Sequence, residues 1–198
     1  MLLKNRQLIS LLLITAVIFY ACDSTTEEEP TGSFQFGNTT YQINDGLIQD
    51  LGMYDLINDQ SNDSTHYLYL FTFSDGNIIT DQNYYTENGS YIIFLYCFSP
   101  LTATDTTFTQ GAFKYCSYSD YYSGSEDLRD QYFYVASYIL FDSDANGNIL
   151  PSEERKEFND GVVNINGADS TFQVFMRIGI SLGTEVNGSY KGDFEIIE

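Results

Sequence analysis

The chain has 198 residues, with 28 Asp and Glu against 8 Lys and Arg, one His, no Trp and three Cys. That is one domain's worth of chain, and a net charge of −20 argues against nucleic acid as a partner, because phosphate binding needs a basic face. Hydrophobic residues make up 43%, with 17 Tyr and 15 Phe, which is too apolar for a disordered acidic tail and sufficient for a real core.

Lys4 and Arg6 precede an uncharged apolar run from Leu8 to Ala21. The run is short for a bilayer span but suits the hydrophobic region of a signal peptide, so residues 1–21 are expected to be processing signal and not fold. Phe19-Tyr20-Ala21-Cys22 resembles the cleavage box of bacterial lipoproteins, in its looser Bacteroidetes form, where the cysteine is acylated and becomes the first residue. The acidic stretch Asp23-Ser24-Thr25-Thr26-Glu27-Glu28-Glu29-Pro30 is similar to the signal that carries lipoproteins of that phylum to the outer face of the outer membrane. The plainer reading is a solvated linker. The resulting division is a signal peptide at 1–21, an acidic tether at 22–32 and a single β-domain at 33–198, held to the membrane through a lipid on Cys22.

Strand-like runs then follow one another, nearly all bounded by Gly, Asn, Asp or Ser. We expect strands at Ser33–Phe36, Thr39–Ile43, Leu47–Tyr54, His66–Phe73, Tyr91–Phe98, Ala112–Tyr118, Gln131–Phe141, Gly161–Ile165, Thr171–Ile180 and Ser189–Ile196. Gly37-Asn38, Asp75-Gly76-Asn77, Asn88-Gly89, Asn166-Gly167 and Asn187-Gly188 supply residues that tolerate the positive φ of tight turns. Tyr67, Tyr69 and Phe71 alternate with Leu68 and Leu70, so both faces of that strand are apolar and it belongs in the middle of a sheet. Asp55–Thr65 and Ser117–Arg129 read as polar loops, and only Ser152–Phe158 reads as helix. Short turns without intervening helices predict an all-β fold, a mainly antiparallel sandwich or closed meander barrel of about ten strands with one short helix.

Three segments, Phe34-Gln35-Phe36-Gly37-Asn38-Thr39-Thr40-Tyr41, Asp160-Gly161-Val162-Val163-Asn164-Ile165 and Gly188-Ser189-Tyr190-Lys191-Gly192, resemble those of small uncharacterised Bacteroidetes surface lipoproteins. The resemblance implies an all-β lipoprotein and brings no activity or catalytic residue. The triplets Asp23-Ser24-Thr25, Asp63-Ser64-Thr65, Asp105-Thr106-Thr107 and Asp169-Ser170-Thr171 resemble the O-glycosylation acceptor pattern of the same phylum.

With Cys22 lipidated, Cys97 and Cys116 remain as an even pair in an oxidising compartment. An antiparallel pairing of their two runs would allow a disulfide; the alternative is two buried thiols acting as small apolar residues. The lone His66 rules out multi-histidine zinc sites and reads as a structural or exposed strand residue. No glycine-rich phosphate loop precedes a helix.

One constellation is specific. Asp142-Ser143-Asp144-Ala145-Asn146-Gly147-Asn148-Ile149-Leu150-Pro151-Ser152-Glu153 fits the EF-hand loop pattern D-x-[DN]-x-[DN]-G-x5-E. Asp142, Asp144 and Asn146 alternate so that their oxygens converge, Gly147 permits the sharp turn, Asn148 offers its carbonyl, Ile149 packs inward and Glu153 closes the sphere around Ca2+. Leu150 stands where a polar residue usually holds a water, and the β-rich segment before the loop replaces the usual helix. An Asx-rich turn without an ion is the competing reading. Tyr84-Tyr85 and the group Tyr115, Tyr118, Tyr121 and Tyr122 could stack on sugars, or serve simply as strand and core aromatics.

The function expected from all this is a lipid-anchored cell-surface β-domain, a non-catalytic binding or structural module, with glycan or another surface protein as candidate partners and one calcium site. The alternative is a small secreted hydrolase of glycosidase type using a carboxylate pair.

Overall fold

A computed structural model describes residues 31–55, 64–80, 85–102, 104, 107–124, 126–168, 170–180 and 183–197. The signal peptide, Cys22 and all but the end of the tether lie outside these residues, as do Tyr84 and parts of the acceptor triplets at Asp63, Asp105, Thr106 and Asp169.

The fold is all-β with one short helix. Its strands are β1 (Thr31–Phe36), β2 (Thr39–Ile43), β3 (Asp45–Tyr54), β4 (His66–Ser74), β5 (Asn77–Ile78), β6 (Thr86–Glu87) and β7 (Tyr91–Pro100). There follow β8 (Gly111–Tyr115), the helix α1 (Tyr118–Ser123), β9 (Phe133–Tyr134), β10 (Tyr138–Phe141), β11 (Glu154–Ala168), β12 (Thr171–Ile180), β13 (Thr184–Asp193) and β14 (Glu195–Ile197). Twelve strands make one sheet in the order β14-β3-β4-β7-β9-β8-β11-β12-β13-β1-β2, with β10 placed between β7 and β11. All pairings are antiparallel except β14 with β3 and β8 with β9.

Two features roll this sheet up. Strands β7, β10, β11, β8 and β9 pair in a closed circuit, because β10 and β9 take successive stretches of the same edge of β7. Between them the chain bulges at Val135–Ser137, where Ala136 takes φ 59° and Ser137 Oγ accepts from the Tyr96 N–H at 2.9 Å. At the other side β2 runs into β3 through Asn44, whose N–H donates to Ser74 O at 2.9 Å, so one continuous segment pairs first with β1 and then with β4. Such a strand turning a corner between two packed faces is how sheets close over a core.

Strict alternation sets what lies inside. Along β12, Phe172, Val174, Met176, Ile178 and Ile180 are all buried while the residues between them are exposed or half-buried. They meet Phe71 and Phe73 of β4, Ile93 and Leu95 of β7, Val186 and Tyr190 of β13 and Phe194 in one cluster. Each such side chain contributes on the order of 1.5–3 kcal/mol when fully buried.

Local readings fared unevenly. Thr39–Ile43 and Thr171–Ile180 are strands with the bounds expected, and Gly37 turns the first hairpin at φ 60°. Ser152–Phe158 is not helical: from Glu154 it belongs to β11, held in register by Tyr138↔Glu157 and Phe141↔Glu154. The helix lies instead in the segment expected to be loop. Ser117 caps it by accepting from the Asp120 N–H at 3.1 Å, and Gly124 ends it in the left-handed region at φ 60°, the two ends of a standard cap pair. Asn187-Gly188 is no turn but the middle of β13. Glycine is required there because a Cβ would sit 2.4 Å from Phe34 Cβ and from Ser33 O.

Of the two readings of the cysteine pair, a disulfide or two buried thiols, the structure has the second. Cys97 and Cys116 are free thiols, because alternation on β7 turns Cys97 into the main core whereas Cys116 packs with Leu68, Phe98 and Tyr121 in a separate cluster beneath α1. Burial raises both thiols, Cys116 to about 11.

His66 is buried and structural. Its Nε2 lies 3.1 Å from Gln131 O and its Nδ1 2.9 Å from Thr65 Oγ1, an arrangement that suits a neutral ring donating from one nitrogen and accepting at the other. Desolvation lowers its pKa from 6.5, outweighing the hydrogen bond to Gln131.

Candidate functional site

Residues 142–153 connect β10 to β11, and the last pair of that hairpin is Phe141↔Glu154. The register therefore sets Asp142 and Glu153, the first and twelfth residues of the loop motif, side by side at its neck. In this chain two antiparallel strands do what flanking helices do in an EF-hand. Carboxylate oxygens of Asp142, Asp144 and Glu153 all lie within 4.8 Å of one another.

Main-chain donors build the loop around those carboxylates. Gly147 N–H donates to Asp142 Oδ2 at 2.7 Å, Asn146 N–H to Asp142 Oδ1 at 3.3 Å, and Asn148 N–H to Asn146 Oδ1 at 2.7 Å. Ser143 N–H and Oγ both donate to Glu153 Oε2. Ala145 and Gly147 take φ 55° and 83° to make the turn. Desolvation disfavours the Asp142 carboxylate, but the donations led by Gly147 outweigh it and lower its pKa below 3.8. Asp142 is thus ionised at neutral pH with Asp144 and Glu153 against it. An all-oxygen set of carboxylates and a side-chain amide is chemically suited to a hard divalent cation.

The loop does not hang free. Ile149 is fully buried against Leu70, Ile92, Phe94 and Leu140, and its carbonyl accepts from the Tyr85 N–H at 2.8 Å within an isolated bridge to Thr86. Gly89 N–H donates to Gly147 O at 3.0 Å and Asp142 N–H to Ser90 O at 3.0 Å. Residues 85–90 are themselves pinned to the β4–β5 turn, where Ser90 N–H and Oγ both donate to Asp75. The sequence assigned Ile149 its inward position correctly; its partners come from distant strands and left no local trace.

A second region emerged only with the fold. On β4 and β7 the outward side chains Leu68, Leu70, Ile92, Phe94 and Phe98 are buried as well as the inward ones, so this outer face is largely covered. The loop and Tyr85 cover one end, and α1 covers the other, with Tyr121 packed into the cluster beneath it. Between these covers a cavity of about 450 Å³ is lined by Tyr85, Tyr96, Tyr138, Phe94, Ile78 and Gln49 among others. A second, of about 340 Å³, is lined by Tyr54, Tyr96, Tyr118, Tyr121 and Tyr122. Tyr96 is common to both, and among the described residues neither wall contains Asp, Glu, Lys, Arg or His. Arg155, whose register partner is Leu140 on this same face, stacks on one ring, its guanidinium carbon 3.8 Å from the Tyr138 centroid. Burial raises the Tyr96 hydroxyl, and raises Tyr138 to about 12 with further contributions from Tyr96 and Tyr85. These tyrosines are neutral donors at physiological pH. Of the tyrosines singled out in sequence, Tyr85, Tyr118, Tyr121 and Tyr122 come to this face, while Tyr115 packs against the main core. Tyr54, Tyr96 and Tyr138 were missed.

No protein family matches this chain, and neither a curated protein nor a solved structure matches it.

Proposed function

We propose that this chain is a lipid-anchored surface module of the outer membrane, a non-catalytic binding domain with one calcium site at residues 142–153. The observation that carries the calcium assignment is the hairpin neck, which sets Asp142 beside Glu153 and gathers three carboxylates within 4.8 Å. Their mutual repulsion is relieved when a divalent cation supplies the missing positive charge. Asp142, Asp144 and Glu153 would hold the ion through carboxylates, with Asn146 and the Asn148 carbonyl completing the set. The non-catalytic reading draws support from the tyrosine-lined cavities, whose described lining residues include no carboxylate pair and no nucleophile–base pair.

Calcium binding to the folded state raises stability by mass action. At ten times the dissociation constant the gain is about 1.4 kcal/mol, a rise in melting temperature of roughly 3–6 °C for a domain of this size. Asp142→Ala and Glu153→Gln should abolish the rise while leaving the protein folded without calcium; an unchanged rise in either variant would remove the assignment. Anchoring is tested separately. Cys22→Ala should end lipid labelling and release the chain from membranes, and replacing Glu27–Glu29 by Ala should leave it lipidated but shielded from external protease.

A further inference from the structure

We propose that the two cavities joined at Tyr96 are one trough that binds an extended, uncharged glycan. This names the ligand of the binding module inferred above, though it does not depend on the calcium site.

Four observations select that occupant. The first is shape: the floor follows β7 from Ile92 to Phe98, roughly 20 Å at strand rise, with cavities of about 450 and 340 Å³ along it. An elongated, segmented volume suits a chain of rings better than one compact ligand. The second is charge. In a protein of net charge −20, the described lining residues carry no charged side chain, and Arg155 beside them is paired with Glu157 at 3.3 Å, which favours neutral ligands.

The third is the chemistry of the wall. Tyr118 and Tyr122, one helical turn apart on α1, are 40% and 52% exposed with their rings within 14° of parallel. They line the second cavity as a stacked pair, while Tyr85, Tyr96 and Tyr138 bring hydroxyls to the first, and Gln49 and Thr80 bring further polar groups. Apolar ring faces bordered by hydroxyls and an amide match a pyranose, which has C–H faces and an equatorial belt of hydroxyls. An alkyl chain would leave those polar groups without partners. The fourth concerns the backbone. Strands β4 and β7 are paired on both edges, so a peptide laid along the floor finds no strand edge to extend and its amides would be desolvated without partners.

The test is calorimetric titration of the full chain with neutral hexasaccharides of β-1,4-glucose, α-1,4-glucose, β-1,4-xylose and β-1,4-mannose, with arms for hexagalacturonate, decanoate and an uncharged decapeptide. At least one neutral hexasaccharide should bind, and hexagalacturonate should not. Tyr96→Ala should weaken binding about tenfold, equivalent to about 1.4 kcal/mol. Tyr122→Ala, at an exposed ring whose loss leaves the core intact, should weaken it comparably and guards against misfolding of the Tyr96 variant. Absence of binding by every neutral hexasaccharide at millimolar concentration would overturn the proposal. So would binding that both variants leave unchanged, or Tyr96-dependent binding of decanoate or decapeptide alone. Chromatography of the titrated sugar separates this proposal from the function it builds on. Recovery of shortened products leaves the trough standing and refutes the non-catalytic reading, and glycan binding retained by Glu153→Gln leaves the trough standing whatever becomes of calcium.

Discussion

Ile149 is the point at which the acidic loop and the fold depend on each other, and truncating it measures that dependence. The side chain is fully buried among Leu70, Ile92, Phe94 and Leu140. Ile149→Ala removes three carbons, about 2.4 kcal/mol at ~0.8 kcal/mol per methylene. A cavity between β4, β7 and the loop adds to this, since the neighbouring strands are fixed by their ladders and collapse only in part. A total of roughly 3 kcal/mol falls within the ~2–5 kcal/mol seen for such truncations, and corresponds to a melting temperature lower by about 6–12 °C. Ile149→Val removes one carbon and should cost about 0.5–1.5 kcal/mol. Urea unfolding of the two variants gives both numbers with unchanged slope. The carboxylates are untouched, so calcium should still raise the melting temperature of Ile149→Val. A cost below about 1 kcal/mol for Ile149→Ala would refute the packing argument, and with it the view that the loop is seated by its eighth residue.

Three further outcomes follow from the fold. Gly188→Ala places a Cβ 2.4 Å from Phe34 Cβ with backbone on the same side, and should yield protein lacking the near-ultraviolet circular dichroism of the packed core. His66 has its pKa lowered in the fold, so the unfolded chain takes up the proton first; its contribution is intact above about 6.5 and is lost as pH falls below that value. Melting temperatures of the wild type should therefore drop between pH 6.5 and 5 more steeply than those of His66→Gln. Cys97 and Cys116, buried with raised pKa values, should resist alkylation at pH 8 in the native state and both react on unfolding without prior reductant, as peptide mass mapping would show.

What could be read in the sequence divides by range. The loop motif was legible because its acidic residues lie within twelve positions, and β12 because alternation is written into it residue by residue. The helix was misplaced because Glu153-Glu154-Arg155-Lys156-Glu157 carries a helical charge pattern, whereas pairing with β10 and the stacking of Arg155 on Tyr138 claim that segment for a strand. Its true site was marked by Ser117 and Gly124, a cap pair seven residues apart with little apolar periodicity between them. Asn187-Gly188 imitated a turn because the reason for its glycine is Phe34, more than 150 residues away. The trough was invisible for the same reason: Tyr54 of β3, Tyr96 of β7 and Tyr138 of β10 come to one face only when β4 joins β3 to β7 and β10 pairs with β7.

The most direct measurement of the central claim is calorimetric titration of the full chain with calcium, freed of metal beforehand by chelator. One ion per chain should bind with a dissociation constant of ~10⁻⁴ to 10⁻³ M, the range of extracellular calcium modules, with the heat abolished in Glu153→Gln. Absence of heat up to about ten times that range, or an isotherm that Glu153→Gln leaves unchanged, would contradict it and reduce residues 142–153 to an acidic hairpin loop.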